Sequence, residues 1–367
     1  MKIGIITFHY ALNAGAILQA FALQSYLTNF GHDVEFIDYR PDRKYSFRSF
    51  IAKSPSVMIN KWRDIYNDKK YTKADSFGRV LKRGKIRYLT EEQLIKNPPI
   101  YDLYITGSDQ VWNFYNKLSS AYLLSFTPPQ ARKVAYAASM GQCRMDKSLY
   151  QNFKDTLSDF EAISLREKNG VEFVSSLFNN ERTIKQTIDP TLLIPIKEYD
   201  KIIEENNSNE SYITSYILSI LEKEYIPIIK HIKEYYKCPL INLRNPSTCI
   251  HVPNVKNRIV TPYQWLNFIK NSKFVICGSF HATVFSILFH KPFVVLIPAT
   301  LAKEGGNYRI NSLLESVGLL NRYFSHPDIN KIKEILVQPI EWQKTDAALE
   351  KMRKQSVDFL NDLLAEY

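Results

Sequence analysis

The sequence predicts an α/β protein of two successive βα halves with mostly parallel sheets, and three observations carry that expectation. The N-terminus, MKIGIITFHY, is an apolar strand that runs into a polar loop, a helical pattern from about Ala16 to Phe30 and a second strand at Val34 to Asp38. Far along the chain, FVICGSFHATVFSILFHKPFVVLIPATL (Phe274 to Leu301) repeats strand, turn, helix and strand. Both of its strands are apolar throughout, as strands covered on two faces of a parallel sheet must be. Between these units the chain turns polar from Glu198 to Ser211, with Asn206-Asn207-Ser208-Asn209 at its centre. Such a run marks a domain boundary, and 367 residues are enough for two cores. The expected division is an N-terminal domain at 1–197, a C-terminal domain at 210–340 and a packing helix at 341–367.

In chain order, the first strand, Lys2 to Thr7, is followed by the loop HYALNAG, which lacks the glycine spacing of a dinucleotide fingerprint. It still places His9, Asn13 and backbone amides at a helix N-terminus, a general site for an anion or a sugar. Tyr101 to Thr106 is the next strand, and Gly107-Ser108-Asp109-Gln110-Val111-Trp112-Asn113 follows directly. A polar cluster at a strand's carboxyl end is where a working carboxylate belongs, which nominates Asp109, with Gln110 and Asn113 beside it; a helix N-cap is the structural alternative for Asp109. Lys133 to Ser139 and Ala162 to Leu165 are further strands, the second ending on Arg166. A guanidinium there suits carboxylate or phosphate, and a salt bridge to Glu167 is the structural alternative.

In the second half, strands are expected at Tyr212 to Leu218 and Pro239 to Leu243, with a helix near Lys223 to Tyr236 between them. Thr261-Pro262 starts another helix, Thr as cap and Pro in the first turn. That helix feeds the Phe274 strand, whose turn carries Ser279 and His281. His281 falls where ligands of parallel sheets bind, although a histidine satisfied inside the core is the plainer reading. Gly305-Gly306-Asn307-Tyr308-Arg309-Ile310-Asn311 is a glycine loop entering a helix and offers Arg309 and Asn311 as further ligand contacts. From about Thr345 to Ala365, Leu349, Met352, Phe359, Leu360 and Leu363 recur at helical spacing and close the molecule.

The net charge of +11 is local. Between Arg40 and Arg87 stand 15 Lys or Arg against 4 Asp, and the remainder balances at 33 of each sign. The segment at about 44–90 therefore reads as a basic insertion. Interleaved with Phe47, Phe50, Trp62, Tyr66 and Phe77, it suits an anionic membrane surface better than a nucleic acid, unless it is merely a solvated insertion. The four cysteines, Cys143, Cys238, Cys249 and Cys277, have no metal-ligand spacing. Reduced thiols, no structural zinc and a cytoplasmic location are expected.

Several of these stretches together resemble the polysaccharide pyruvyl transferase family: NAGAILQAFALQSYL, GSDQVWN, ISLRE, IDPTLL, TPYQWLNFIKNSKFVICGSFHATVFSILFHKPFVVL and NYRINSLLESVGL. The resemblance implies a GT-B-like fold, two Rossmann-like domains facing a central cleft. It also implies transfer of pyruvate from phosphoenolpyruvate, with no metal or other cofactor, onto two hydroxyls of a sugar in a surface polysaccharide repeat unit. The acceptor is expected to be polyprenyl-diphosphate-linked and the protein peripheral at the inner face of the cell membrane. By motif, Asp109 and His281 would transfer protons and Arg166 would hold the donor. Many members carry an arginine two residues before the motif histidine, where this chain has Ser279; Arg309, or Ser279 with its helix N-terminus, would have to take that place. A nucleotide-sugar glycosyltransferase, or a relative that only binds precursors, are the alternatives on the same fold.

Overall fold

The computed structural model of the protein describes residues 1–41, 66, 76–114, 119–141, 143, 145–205, 210–218, 221, 223–245, 255–298 and 308–365. The first half contributes strands β1 (Lys2–Ile6), β2 (Asp33–Tyr39), β3 (Arg83–Tyr88), β4 (Leu103–Thr106), β5 (Arg132–Ala138), β6 (Ala162–Leu165) and β7 (Lys185–Gln186). They form one parallel sheet in the order β3-β2-β1-β4-β5-β6-β7. Its helices are α1 (Ala14–Asn29), α2 (Glu91–Lys96), α3 (Tyr150–Ser158) and α4 (Lys168–Leu177), and α5 (Ile196–Asp200) leads out of it. The second half repeats the plan with β8 (Ile213–Ile217), β9 (Leu240–Arg244), β10 (Lys256–Ile259), β11 (Val275–Gly278), β12 (Phe293–Leu296) and β13 (Tyr323–Phe324), parallel in the order β10-β9-β8-β11-β12-β13. Its helices are α6 (Ile226–Tyr236), α7 (Pro262–Lys270), α8 (Phe280–Leu288), α9 (Tyr308–Ser316) and α10 (Ile329–Val337), and α11 (Trp342–Leu364) closes the chain.

Both sheets run outward in opposite directions from a central pair, β1 with β4 and β8 with β11. Where strand order reverses, the helices following the two central strands diverge to opposite faces and leave a crevice at the carboxyl ends. The loop carrying Asp109 leaves β4, and the turn carrying His281 leaves β11, so each lies at the reversal point of its own sheet.

The halves share one apolar cluster: Ile17, Leu23 and Leu192 of the first pack in it with Trp265, Phe285 and Val295 of the second. Helix α7 begins as its sequence dictates, Thr261 and Gln264 forming a reciprocal capping box with Pro262 in the first turn. Helix α11 crosses back to the first half, where Ser356 Oγ accepts from Ile188 N at 2.9 Å and Arg353 Nε donates to Leu192 O at 2.7 Å.

The basic segment divides. Residues 42–65 and 67–75 lie outside the described residues, so the membrane-facing expectation is not addressed there. Its later part is not an insertion but part of the fold. Arg83–Tyr88 pairs with β2 as an edge strand, and Phe77 and Leu81 are buried. Phe77 O also accepts from Tyr263 Oη at 3.0 Å, and Arg79 lies 4.3 Å over the Tyr263 ring and pairs with Glu204, so this stretch joins the two halves. No helix among the described residues is long and apolar enough to cross a membrane.

Candidate active site

His281 is the second residue of α8, behind the N-cap Ser279, whose Oγ accepts from Ala282 N at 3.2 Å. Both are buried, and besides Phe280 of its own helix the histidine meets Asp189 and Gly15 of the other half. On one edge, Nε2 faces Asp189 Oδ2 at 3.6 Å, beyond hydrogen-bond reach, and has no other partner. On the other, the ring lies against Gly15 at the start of α1. A Cβ added at Gly15 would fall 2.1 Å from Nδ1, so only glycine allows α1 to approach this closely. Asn13 is the N-cap of α1, accepting from Gly15 N at 2.9 Å, and thereby fixes that approach.

Asp189 is fully buried. Its Oδ1 accepts from Thr191 N at 3.0 Å and Thr191 Oγ1 at 2.6 Å, and its Oδ2 accepts from Arg166 Nη1 at 2.5 Å. Burial alone would raise its pKa. The neighbouring His281 and Arg166, with the Thr191 bond, outweigh burial and hold the carboxyl far below its ordinary value. Arg166, buried at the end of β6, also donates from Nε to Glu167 Oε1 at 3.1 Å, so the salt bridge foreseen as its structural role is present. That bridge does not exhaust it. Arg166 Nη2 and Glu167 Oε2 are both buried without a partner. Burial opposes the Arg166 charge, but Glu167, Asp189 and Asp109 overcome it and raise its pKa.

A second guanidinium joins the first. Arg166 lies 4.5 Å from the centre of the Phe280 ring and Arg309, from α9, lies 5.9 Å from it. The pKa of Arg309 is lowered by desolvation and then by Arg166, partly offset by Asp109, Glu167 and Asp189. Two cations brought this close, with one donor unfilled, at the positive end of α8 form a site suited to an anion. Gln110 spans the gap to the first half: with its amide oxygen turned towards Arg309 it accepts from the two terminal nitrogens at 2.8 and 3.1 Å. Asn113 lies 2.6 Å from the other amide atom, and Gly141 packs against both side chains.

Asp109 is not a helix cap. It stands at φ +66° in a turn, its backbone oxygen accepting from Val111 N at 2.8 Å and Ser139 N at 3.0 Å. The turn leaves its carboxylate half-buried near Arg309 and Tyr122. The structure thus gathers Asp109, Gln110, Asn113, Arg166, Ser279, His281 and Arg309, with Asn13 acting through Gly15. It does not gather His9, which is fully buried in a separate network. There Nδ1 contacts Thr7 O and Nε2 contacts Asp38 Oδ1, both at 3.0 Å, while Asp38 also accepts from Arg40 and Arg87. Burial lowers the pKa of His9 against the opposing pull of Asp38. Asn311 is exposed on α9. Asp189 and Glu167, absent from the sequence-derived set, complete the charge pattern. The only sequence signals for them were their places in IDPTLL and ISLRE.

Among the described residues no group of three or more His, Cys, Asp or Glu converges in a metal-ligating arrangement. Cys143, Cys238 and Cys277 are free thiols, and burial pushes Cys143 and Cys277 up to about 12. Neither is a ready nucleophile.

Two Rossmann-like domains with a polar site between their strand ends define a GT-B-like enzyme. The chain belongs to the polysaccharide pyruvyl transferase family, whose model matches residues 13–299, and is a pyruvyltransferase of polysaccharide biosynthesis. Among solved structures it is similar to a putative UDP-N-acetylglucosamine 2-epimerase from Listeria monocytogenes, with TM-score 0.52 and 11% identity over 100% of this chain and 97% of that one. It is also similar to the UDP-GlcNAc 2-epimerase of Methanocaldococcus jannaschii (TM-score 0.48, 12% identity, 93% of each chain) and to Arabidopsis thaliana UGT89C1 complexed with quercetin (TM-score 0.48, 10% identity, 100% and 98%). At such identities the likeness is one of fold. No curated protein matches the chain.

Proposed function

We propose that the protein transfers the enolpyruvyl unit of phosphoenolpyruvate onto two hydroxyls of a sugar in a surface polysaccharide repeat unit, forming a cyclic ketal. The observation that carries this reading is the pair of guanidiniums, Arg166 and Arg309, flanking Phe280 at the α8 N-terminus. The donor bears a carboxylate and a phosphate, and the pair offers a cation to each. In the reaction one acceptor hydroxyl adds to the central carbon while the methylene carbon gains a proton and becomes methyl. The second hydroxyl then displaces phosphate at the same carbon, and its proton leaves with the phosphate. In this reading Asp109 and His281 move these protons. The cations act by countering charge on the departing phosphate, so the reaction as written needs no other cofactor.

Ser279 stands where many family members have arginine, and Arg309 takes over that charge from α9. Arg309→Ala is expected to raise the KM for phosphoenolpyruvate about 10–100-fold, the loss of one or two charge-assisted hydrogen bonds. A KM within twofold of the parent would remove Arg309 from the donor site. The function itself is tested by incubation with phosphoenolpyruvate and candidate lipid-linked oligosaccharides, following phosphate release and an acceptor mass gain of one pyruvyl ketal. Sugar transfer from a nucleotide-sugar with release of a nucleoside diphosphate, and no phosphate release from phosphoenolpyruvate, would overturn the reading.

The acceptor is proposed to be polyprenyl-diphosphate-linked and met at the inner face of the cell membrane, because the positive charge of the chain is concentrated between Arg40 and Arg87. As Arg83–Tyr88 is a strand of the sheet, the segment to remove in testing this is 42–75. The parent protein is expected to float with anionic liposomes at low salt and the shortened one to stay behind; equal flotation would refute the membrane role.

A further inference from the structure

Asp189 belongs to the first half of the molecule and His281 to the second, yet they meet in the buried centre of the site. One carboxylate oxygen is locked by Thr191, through both its backbone N–H and its hydroxyl. The other oxygen is shared: Arg166 Nη1 donates to it at 2.5 Å, Ser108 Oγ lies at 3.5 Å, and His281 Nε2 lies at 3.6 Å with no other partner. The carboxylate cannot turn without giving up the Thr191 bonds. Its free edge is therefore a fixed acceptor facing His281 Nε2, which contacts no other polar protein group. The ring also meets Gly15, where even a methyl group would overlap Nδ1 and Cγ. His281 is held by an acceptor and by a close backbone contact, both supplied by the half of the molecule to which it does not belong.

We infer that Asp189 is the positioning residue for His281, keeping the imidazole proton on Nε2 and the ring in one orientation, so that seating the two halves against each other arms the histidine. The inference rests on the reading of His281 as a proton-transfer group. Its physical basis is electrostatic: a buried carboxylate 3.6 Å from Nε2 favours the tautomer that carries the proton on that nitrogen. Holding an imidazole in the wrong tautomer removes its catalytic use without removing the ring. The proposal also separates two duties of Asp189, which anchors the donor-binding Arg166 and the proton-transferring His281 through the same oxygen. Only the second should matter for turnover once phosphoenolpyruvate is bound.

The test uses the full-length protein labelled with ¹⁵N-histidine. The chain has seven histidines, and the His281 ring signals are identified by their loss in His281→Ala. In the neutral form, the parent protein is expected to show Nε2 protonated and Nδ1 bare, and Asp189→Asn to lose this single-tautomer pattern. In the same Asp189→Asn protein, kcat at saturating phosphoenolpyruvate is expected to fall about 10²–10⁴-fold. Gly15→Ala displaces the ring with Asp189 and Arg166 intact, and there kcat is expected to fall while calorimetric affinity for phosphoenolpyruvate changes by less than about threefold. A parent spectrum with the proton on Nδ1 would overturn the proposal, as would an Asp189→Asn spectrum identical to the parent's. So would kcat and affinity falling together in Gly15→Ala. The ring spectrum is read without turnover, so a protein inert towards phosphoenolpyruvate would sink the proposed function and still decide the part played by Asp189.

Discussion

His281→Ala is expected to lower kcat about 10²–10⁴-fold, the usual contribution of a positioned proton-transfer group, and to leave phosphoenolpyruvate bound. The proposed donor site is Arg166 with Arg309, and neither depends on the imidazole: Arg166 keeps its bonds to Asp189 and Glu167, and Arg309 keeps Gln110. Folding should suffer little. Asp189 retains Arg166 and Thr191, so the truncation strands no buried charge, and the cost is that of an ordinary core substitution, about 1 kcal/mol. Phosphate release measures the first effect, calorimetry with phosphoenolpyruvate the second and thermal unfolding the third. A variant with kcat within tenfold of the parent would show that the histidine is structural.

The two sheets were open to sequence reasoning for one physical reason. Strands buried on both faces are apolar without interruption, as at Leu103–Thr106, Val275–Gly278 and Phe293–Leu296, and such runs stand out from helical periodicity. Edge strands lack this signature. In β3, Arg83, Lys85 and Arg87 alternate with Gly84, Ile86 and Tyr88, and the strand disappears into the surrounding charge. β10, with the sequence KNRI, is disguised in the same way. The site followed a similar rule. Asp109, Arg166 and His281 lie directly beyond strand ends, where a parallel sheet must place its ligands, so position alone nominated them. Asp189 carries no such mark, because an acid before proline looks like a turn and its partners Arg166 and His281 lie in other elements. His9 errs in the opposite direction. It occupies a ligand-like loop in the sequence, and only the folded chain brings Asp38 to its Nε2.

Arg166→Met is expected to be the most damaging single change, because it removes the shared cation from two buried carboxylates. Asp189 is fully buried and Glu167 nearly so, and both are paired to this guanidinium. Removing one partner of a buried pair costs about 3–5 kcal/mol, a large part of a typical domain's stability. The sign of the pH dependence follows from Asp189. In the parent protein its pKa is depressed, so it adds stability above the unfolded carboxylate value of about 3.9 that is lost as pH falls through the lower folded value. In the variant His281 and Thr191 still lower it but the Arg166 cation is gone, so desolvation weighs more heavily and the folded pKa rises. The deficit relative to the parent should therefore be greatest at neutral pH and shrink towards pH 4 as the stranded carboxyl takes up a proton. Urea unfolding of both proteins at pH 7 and pH 4.5 measures this. The companion Arg166→Met, Glu167→Gln protein should regain part of the stability without regaining turnover, because neutralising a stranded carboxylate relieves its burial but returns no cation to the donor. A deficit that is the same at both pH values would mean that Arg166 stabilises the fold by packing on Phe280 and not through its charge.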